Sequence, residues 1–137
     1  MRIALIGLKE SEVNIFPELG KALGKKISGV ELIERFAPVA EDLPLIALEA
    51  AQENDFIVVF APIDDDEMAD FVKKKLVDVE LATKTRILKI VDSEYISGDD
   101  NPEFEDGKEL VVSGIVETVV NILFNEKAFE PKDREFE

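Results

Sequence analysis

Cysteine, histidine and tryptophan are all absent from this chain of 137 residues, and tyrosine occurs once, at Tyr95. Without cysteine there is no disulfide, no thiolate nucleophile and no thiolate-ligated metal. Without histidine there is no imidazole base, no Ser-His or Cys-His pair and no HExxH zinc site. Acid–base work is left to Asp, Glu, Lys and Tyr95. No apolar run approaches the roughly 18 residues that span a bilayer, and the opening MRIALIGLKESE has no small-residue cleavage site. Glycine-rich phosphate loops of the GxGxxG or GxxxxGKS type do not occur.

Basic residues are scarce relative to acids, 16 against 31, for a net charge of −15. That balance repels phosphate backbones and anionic lipid, so neither nucleic acid nor a membrane surface is expected as a partner. The expected location is cytoplasmic. The length predicts one domain, over residues 1–126, followed by a charged tail over 127–137.

Four short apolar runs alternate with helical patterns. Arg2 to Leu8 is apolar throughout its interior, as a strand buried on both faces should be. Gly7 near its end admits close approach of a ligand or backbone, or simply a turn into the next helix. That helix is capped by Ser11 or Asn14, carries Ile15, Leu19, Ala22 and Leu23 on one face, and is predicted to stop at Gly24. Val30 to Phe36 bears charges on both faces, the pattern of an edge strand, and Pro38 ends it.

Glu41 or Asp42 then opens a helix that accepts Pro44 in its first turn. Its stripe is Leu43, Ile46, Ala47, Ala50 and Ala51, widened by Leu45 and Leu48. Phe56 to Ala61 is continuously apolar and predicts the centre of the sheet. Asp64 to Asp66 caps a third helix with Met68, Phe71, Val72, Lys75, Leu76 and Val79 in helical spacing. Arg86 to Val91 reads as a fourth strand, Asp92 to Lys108 as a polar loop, and Glu109 to Asn125 as the last helix. Apolar residues fill about half of that helix's circumference, against the ~100° a surface helix needs. It therefore lies deep in the core or partly against another subunit; in so small a domain some subunit contact is expected.

Strands alternating with helices predict an α/β fold: three layers, helices on both faces of a four-stranded parallel sheet, wound as in flavodoxins. In such sheets ligands bind beyond the carboxyl ends of the strands. The acids Asp64, Asp65, Asp66, Glu67 and Asp70 are a conceivable cation site, but Met68 stands where an oxygen ligand is needed. A capped, dipole-compensated helix start explains most of the run, and no metal is expected. A receiver domain is excluded: Leu8 and Lys9 replace its acidic pair, and Phe60-Ala61-Pro62 replaces its phosphoacceptor aspartate.

The segment Phe36-Ala37-Pro38-Val39-Ala40-Glu41-Asp42-Leu43-Pro44 resembles the loop after strand two in lumazine synthases and archaeal-type riboflavin synthases. There the pattern is Val-Pro-Gly, a short spacer, an acid, and Leu-Pro or similar. Pro38, Asp42, Leu43 and Pro44 match in spacing, while Val39 replaces the glycine. The apolar helix, the Asn54-Asp55 turn, the strand Phe56 to Phe60 and the order of elements continue the likeness to about Asn125.

The resemblance implies a lumazine-synthase-like fold and a homo-oligomer, a pentamer, binding a ribityl pyrimidine or lumazine between subunits. Asp42 would accept hydrogen bonds from ribityl hydroxyls, and Ala61, Pro62 and Ile63 would line the ring site through backbone groups. Asp42 and Tyr95 are the candidates for catalysis, and no cofactor is implied. The departures are specific. The family's glycine-rich loop and proton-handling histidine are replaced by APIDDDEMAD, and no aromatic precedes Phe16 after the first strand. Three functions follow: a riboflavin-pathway transferase with a rearranged site, a catalytically inactive homologue that serves as scaffold or flavin-like ligand binder, and an unrelated flavodoxin-like binding protein.

Overall fold

Each of the four apolar runs becomes a strand, and all pair in parallel: β1 (Arg2–Leu8), β2 (Glu31–Ala37), β3 (Phe56–Phe60) and β4 (Arg86–Ile90). Their order across the sheet is β2-β1-β3-β4. The computed structural model describes residues 1–11, 14–92 and 104–135, and within the last helix the side chains of residues 108–124. In register, Gly7 lies beside Phe36, Ile6 beside Val59 and Phe60 beside Ile90. Every residue of β3 is buried, as its unbroken apolar run predicts, whereas the charged β2 lies at an edge.

The helices are α1 (Phe16–Lys26), α2 (Leu43–Ala51), α3 (Asp66–Thr83) and α4 (Phe104–Glu135), with a single 3-10 turn at Ala40–Asp42 leading into α2. Side chains alternate across a strand, so β1 feeds both faces. Ala4 and Ile6 join Ile57, Val59 and Ile87 beneath α2 and α3. Ile3 and Leu5 join Phe56, Val58 and Ile90 beneath α1 and α4. The result is three layers, helices on both sides of a four-stranded parallel sheet. Burying one large aliphatic side chain contributes about 1.5–3 kcal/mol, and fully buried examples occur in both clusters, such as Leu43 and Leu76 in one and Leu19 and Leu23 in the other.

Several local expectations are corrected. Helix α1 runs through Gly24 to Lys26, because Ile27 is buried and its N–H bonds the Leu23 carbonyl at 2.9 Å. The chain turns instead at Gly29, whose φ of +72° is a left-handed conformation that glycine adopts without strain. Asn14, rather than Ser11, serves the helix start: its Oδ1 accepts the Phe16 N–H at 3.0 Å. Asp42 stands at the start of α2 without making a side-chain cap. Pro44 has no N–H to satisfy, and the preceding 3-10 turn already bends the chain into the helix.

The predicted apolar stripes are narrower than read. Leu43, Ile46, Ala47 and Ala50 suffice to seat α2, leaving Leu45 and Leu48 exposed. On α3, Phe71 is exposed, with the Lys75 ammonium 5.8 Å from its ring, and Ala69 is buried in its place. Helix α4 begins before Glu109 and extends beyond Asn125. Positions 104–108, read as part of the polar loop, belong to it. Of the wide apolar arc of α4, Val112, Ile115, Val116 and Val119 are buried, Val111, Val120, Ile122 and Leu123 are partly buried against the same core, and Leu110 is exposed. No helix among the described residues is long and apolar enough to cross a membrane.

Candidate functional site

From β1 the chain crosses to β2 on one side and later to β3 on the other, so strand order reverses between β1 and β3. Beyond the carboxyl ends at such a reversal the flanking loops diverge and open a crevice. Here it is a cleft of about 50 Å³ lined by Gly7, Leu8, Lys9, Ser11, Asn14, Phe16, Phe36 and Phe60. Its walls come from the ends of β1, β2 and β3 and from the entry to α1.

Aromatic rings shape the cleft. Phe16 and Phe36 meet with centroids 5.7 Å apart and planes tilted by 42°, within the favourable range for an aromatic pair. Phe16 is buried, whereas Phe36 is 41% exposed and offers a ring to solvent. Gly7 makes the arrangement possible. A Cβ there would stand 3.1 Å from Cε2 of Phe16 and 3.3 Å from the Phe60 carbonyl oxygen. The Asn14 bond to the Phe16 N–H and the bond from Ser11 N–H to Leu8 O (3.2 Å) hold the loop that carries Phe16 back over the strand. Lys9 N–H donates to Ala37 O at 2.9 Å, tying the ends of β1 and β2.

Among the described residues, the lining contains one cation, Lys9, and no carboxylate. Its chemistry is a flat apolar face with a polar rim. A flat apolar face of this kind is suited to stacking against a ring. The residues expected to act lie elsewhere. Asp42 is half-buried at the head of α2, with the helix layer on the opposite face of the sheet from Phe16, and its N–H donates to Val39 O at 3.1 Å. Ala61 and Ile63 are buried, and their N–H groups donate to Ile90 O and Val91 O, each at 3.0 Å. Pro62 between them has no N–H, so the backbone donors of this segment serve the junction with β4. None of Asp42, Ala61, Pro62 or Ile63 lines the cleft. Tyr95 lies outside the described residues.

The acidic run has a structural use. Asp65 caps α3, its Oδ1 accepting from Glu67 N–H at 2.9 Å and Met68 N–H at 3.3 Å. Among the described residues no group of three or more acids is placed to hold a metal ion. At the end of β4, Asp92 pairs with Lys73 of α3 at 2.7 Å, and this hydrogen bond raises the Lys73 ammonium above its ordinary pKa.

A wider groove, about 810 Å³, runs between α1 and α4. Its floor is apolar (Ala22, Val112, Val116, Val120) and its charges balance, Lys25, Lys26 and Lys108 against Glu18, Glu109 and Glu117. Lys108 bonds Glu18 at 3.0 Å and holds its carboxyl below the usual range. Among the described residues the groove is lined by the sides of α1 and α4, away from the converging strand ends.

Sequence reasoning singled out Gly7 but missed Phe16, Phe36 and Phe60 as a group. An aromatic close behind β1 was missing from the linear order; the structure supplies one by folding Phe16 back onto Gly7. No family model matches this chain, and no curated protein matches it in sequence.

Proposed function

We propose that the chain is a riboflavin-pathway-type binding protein that takes a flat heteroaromatic ring of the lumazine or flavin kind at the carboxyl ends of β1, β2 and β3. The observation that carries this reading is the half-exposed Phe36 ring, braced by Phe16 over Gly7, at the strand-order reversal. Stacking of a ring on such a platform contributes about 0.5–1.5 kcal/mol beyond area burial. The cleft is small against the roughly 300–1,000 Å³ of sites that enclose a ligand. It therefore receives one edge or face of the ring, and the remainder extends over Phe36. The lumazine-synthase-like likeness of the Pro38 to Pro44 segment supports the ligand class. Binding is favoured over catalysis because the described lining of the cleft is led by aromatic rings, with Lys9, Ser11 and Asn14 as its polar groups, and the chain has no histidine.

The test is fluorescence titration of riboflavin and of ribityl-lumazine with the full chain. Saturable quenching is expected, weakened at least tenfold by Phe36→Ala while the far-UV circular dichroism stays unchanged. Absence of quenching with both probes overturns the reading. Formation of riboflavin from the lumazine on incubation would replace it with the transferase reading.

A further inference from the structure

The two edges of the sheet are finished differently. On β4, the outward N–H of Ile87 donates to Glu80 Oε2 at 2.8 Å, and the Ile87 carbonyl accepts from Lys89 Nζ at 2.9 Å. Glu80 and Lys89 also pair with each other, each side chain only 21% exposed. At Ile87 side chains thus occupy the positions that another strand would take, a recognised way of blunting an edge. On β2, Glu31 N–H donates to Met1 O, and Ala37 O accepts from Lys9 N–H. Odd-numbered residues of β2 therefore turn their backbone groups toward β1, and alternation turns those of Leu32, Glu34 and Phe36 outward. Among the described residues nothing bonds them.

We propose that the β2 edge pairs with the β2 edge of a second copy of this chain, antiparallel about a twofold axis through Ile33. The charges select both the partner and the register. With the axis at Ile33, Glu31 stands opposite Arg35 of the other copy, twice over, in the closely spaced non-hydrogen-bonded positions. Leu32 and Glu34 of opposite copies then exchange the ladder bonds. Moving the axis by one residue to Glu34 sets two glutamates face to face, which is unfavourable. The charges that deter arbitrary pairing at this edge thus permit one arrangement, and a self-complementary patch of this kind is what a twofold interface requires.

Helix α2 supplies the apolar part. Glu49 reaches Arg35 on β2 at 3.1 Å, so the Glu49 side of α2 overlooks the open edge. Leu45 lies one turn earlier on that same side. It is 58% exposed, and the neighbouring Leu48 is 38% exposed. In the pairing the α2 helices of the two copies flank the joined strands on the same face, and these leucines cover the junction. The inference stands independently of any ligand in the cleft.

Light scattering with size-exclusion chromatography on the full chain tests it. The expected mass is that of two chains. Arg35→Glu is expected to weaken association at least tenfold, and the charge-swapped Glu31→Arg/Arg35→Glu double variant to restore it, with circular dichroism confirming the fold of each. Leu45→Lys, a surface change on α2, is expected to weaken association as well. A wild-type monomer, an assembly other than two chains, an Arg35→Glu protein that dimerises as wild type does, or a double variant that stays dissociated overturns the proposal.

Discussion

The Phe16 ring sits directly over Gly7, so that a methyl group at position 7 would be 3.1 Å from the ring and 3.3 Å from the Phe60 carbonyl oxygen. The ring can shift slightly, but the carbonyl is part of a buried strand. Gly7→Ala is expected to cost about 1–3 kcal/mol, the range for overpacking a filled core, measured as a lower urea midpoint with an unchanged slope. It should also disturb the Phe16–Phe36 pair and so weaken ring binding, whereas a Gly24→Ala control, where nothing lies within 4 Å, should leave binding unchanged.

Lys84 ends α3 in the left-handed conformation, φ 59° and ψ 25°, with its N–H bonded to Glu80 O at 2.8 Å. An L-residue pays roughly 1–2 kcal/mol for that conformation, whereas glycine adopts it freely at helix ends. Lys84→Gly is expected to raise stability by about 0.5–1 kcal/mol after the greater chain entropy of unfolded glycine is set against the relieved strain. Differential scanning calorimetry reads the outcome as a higher melting temperature; a lower one would refute it.

The ion pair between Glu18 and Lys108 joins α1 to α4, and it lowers the Glu18 pKa, first through the hydrogen bond from Lys108. A carboxyl lowered in the folded state contributes stability above its unfolded pKa and loses that contribution as the pH falls through its folded one. Glu18 is half exposed, so the contribution is small, below about 1 kcal/mol. Lys108→Met should therefore be less stable than the parent at neutral pH, and the difference should shrink as the pH falls through the lowered Glu18 pKa and vanish below it. Paired denaturation curves across that range check the sign.

The strands are legible in the sequence because each is a short apolar run closed by turn residues, and β2 announces its edge position through Glu31, Glu34 and Arg35. Helix ends are less legible. Gly24 has the local signature of a stop, yet the pull of a buried Ile27 outweighs it, and that pull is a tertiary effect. Leu45, Leu48 and Phe71 have the right spacing for a core stripe, but spacing does not say how wide a stripe the sheet accommodates. The candidate site was the least legible part. Positions 7, 16, 36 and 60 share no period; the β1–β2 and β1–β3 registers and the return of the α1 entry loop bring them together. The engaged N–H groups of Ala61 and Ile63 likewise follow from where β4 lies.

Glu80 and Lys89 give the molecule directionality. On β4 the outward backbone groups of Ile87 are already taken, whereas on β2 those of Leu32, Glu34 and Phe36 have no partner among the described residues. In the proposed pair the joined sheet presents two β4 margins, each with its middle residue occupied. The same clasp that completes the hydrogen bonds of one isoleucine thus disfavours further edge-to-edge growth of the proposed pair.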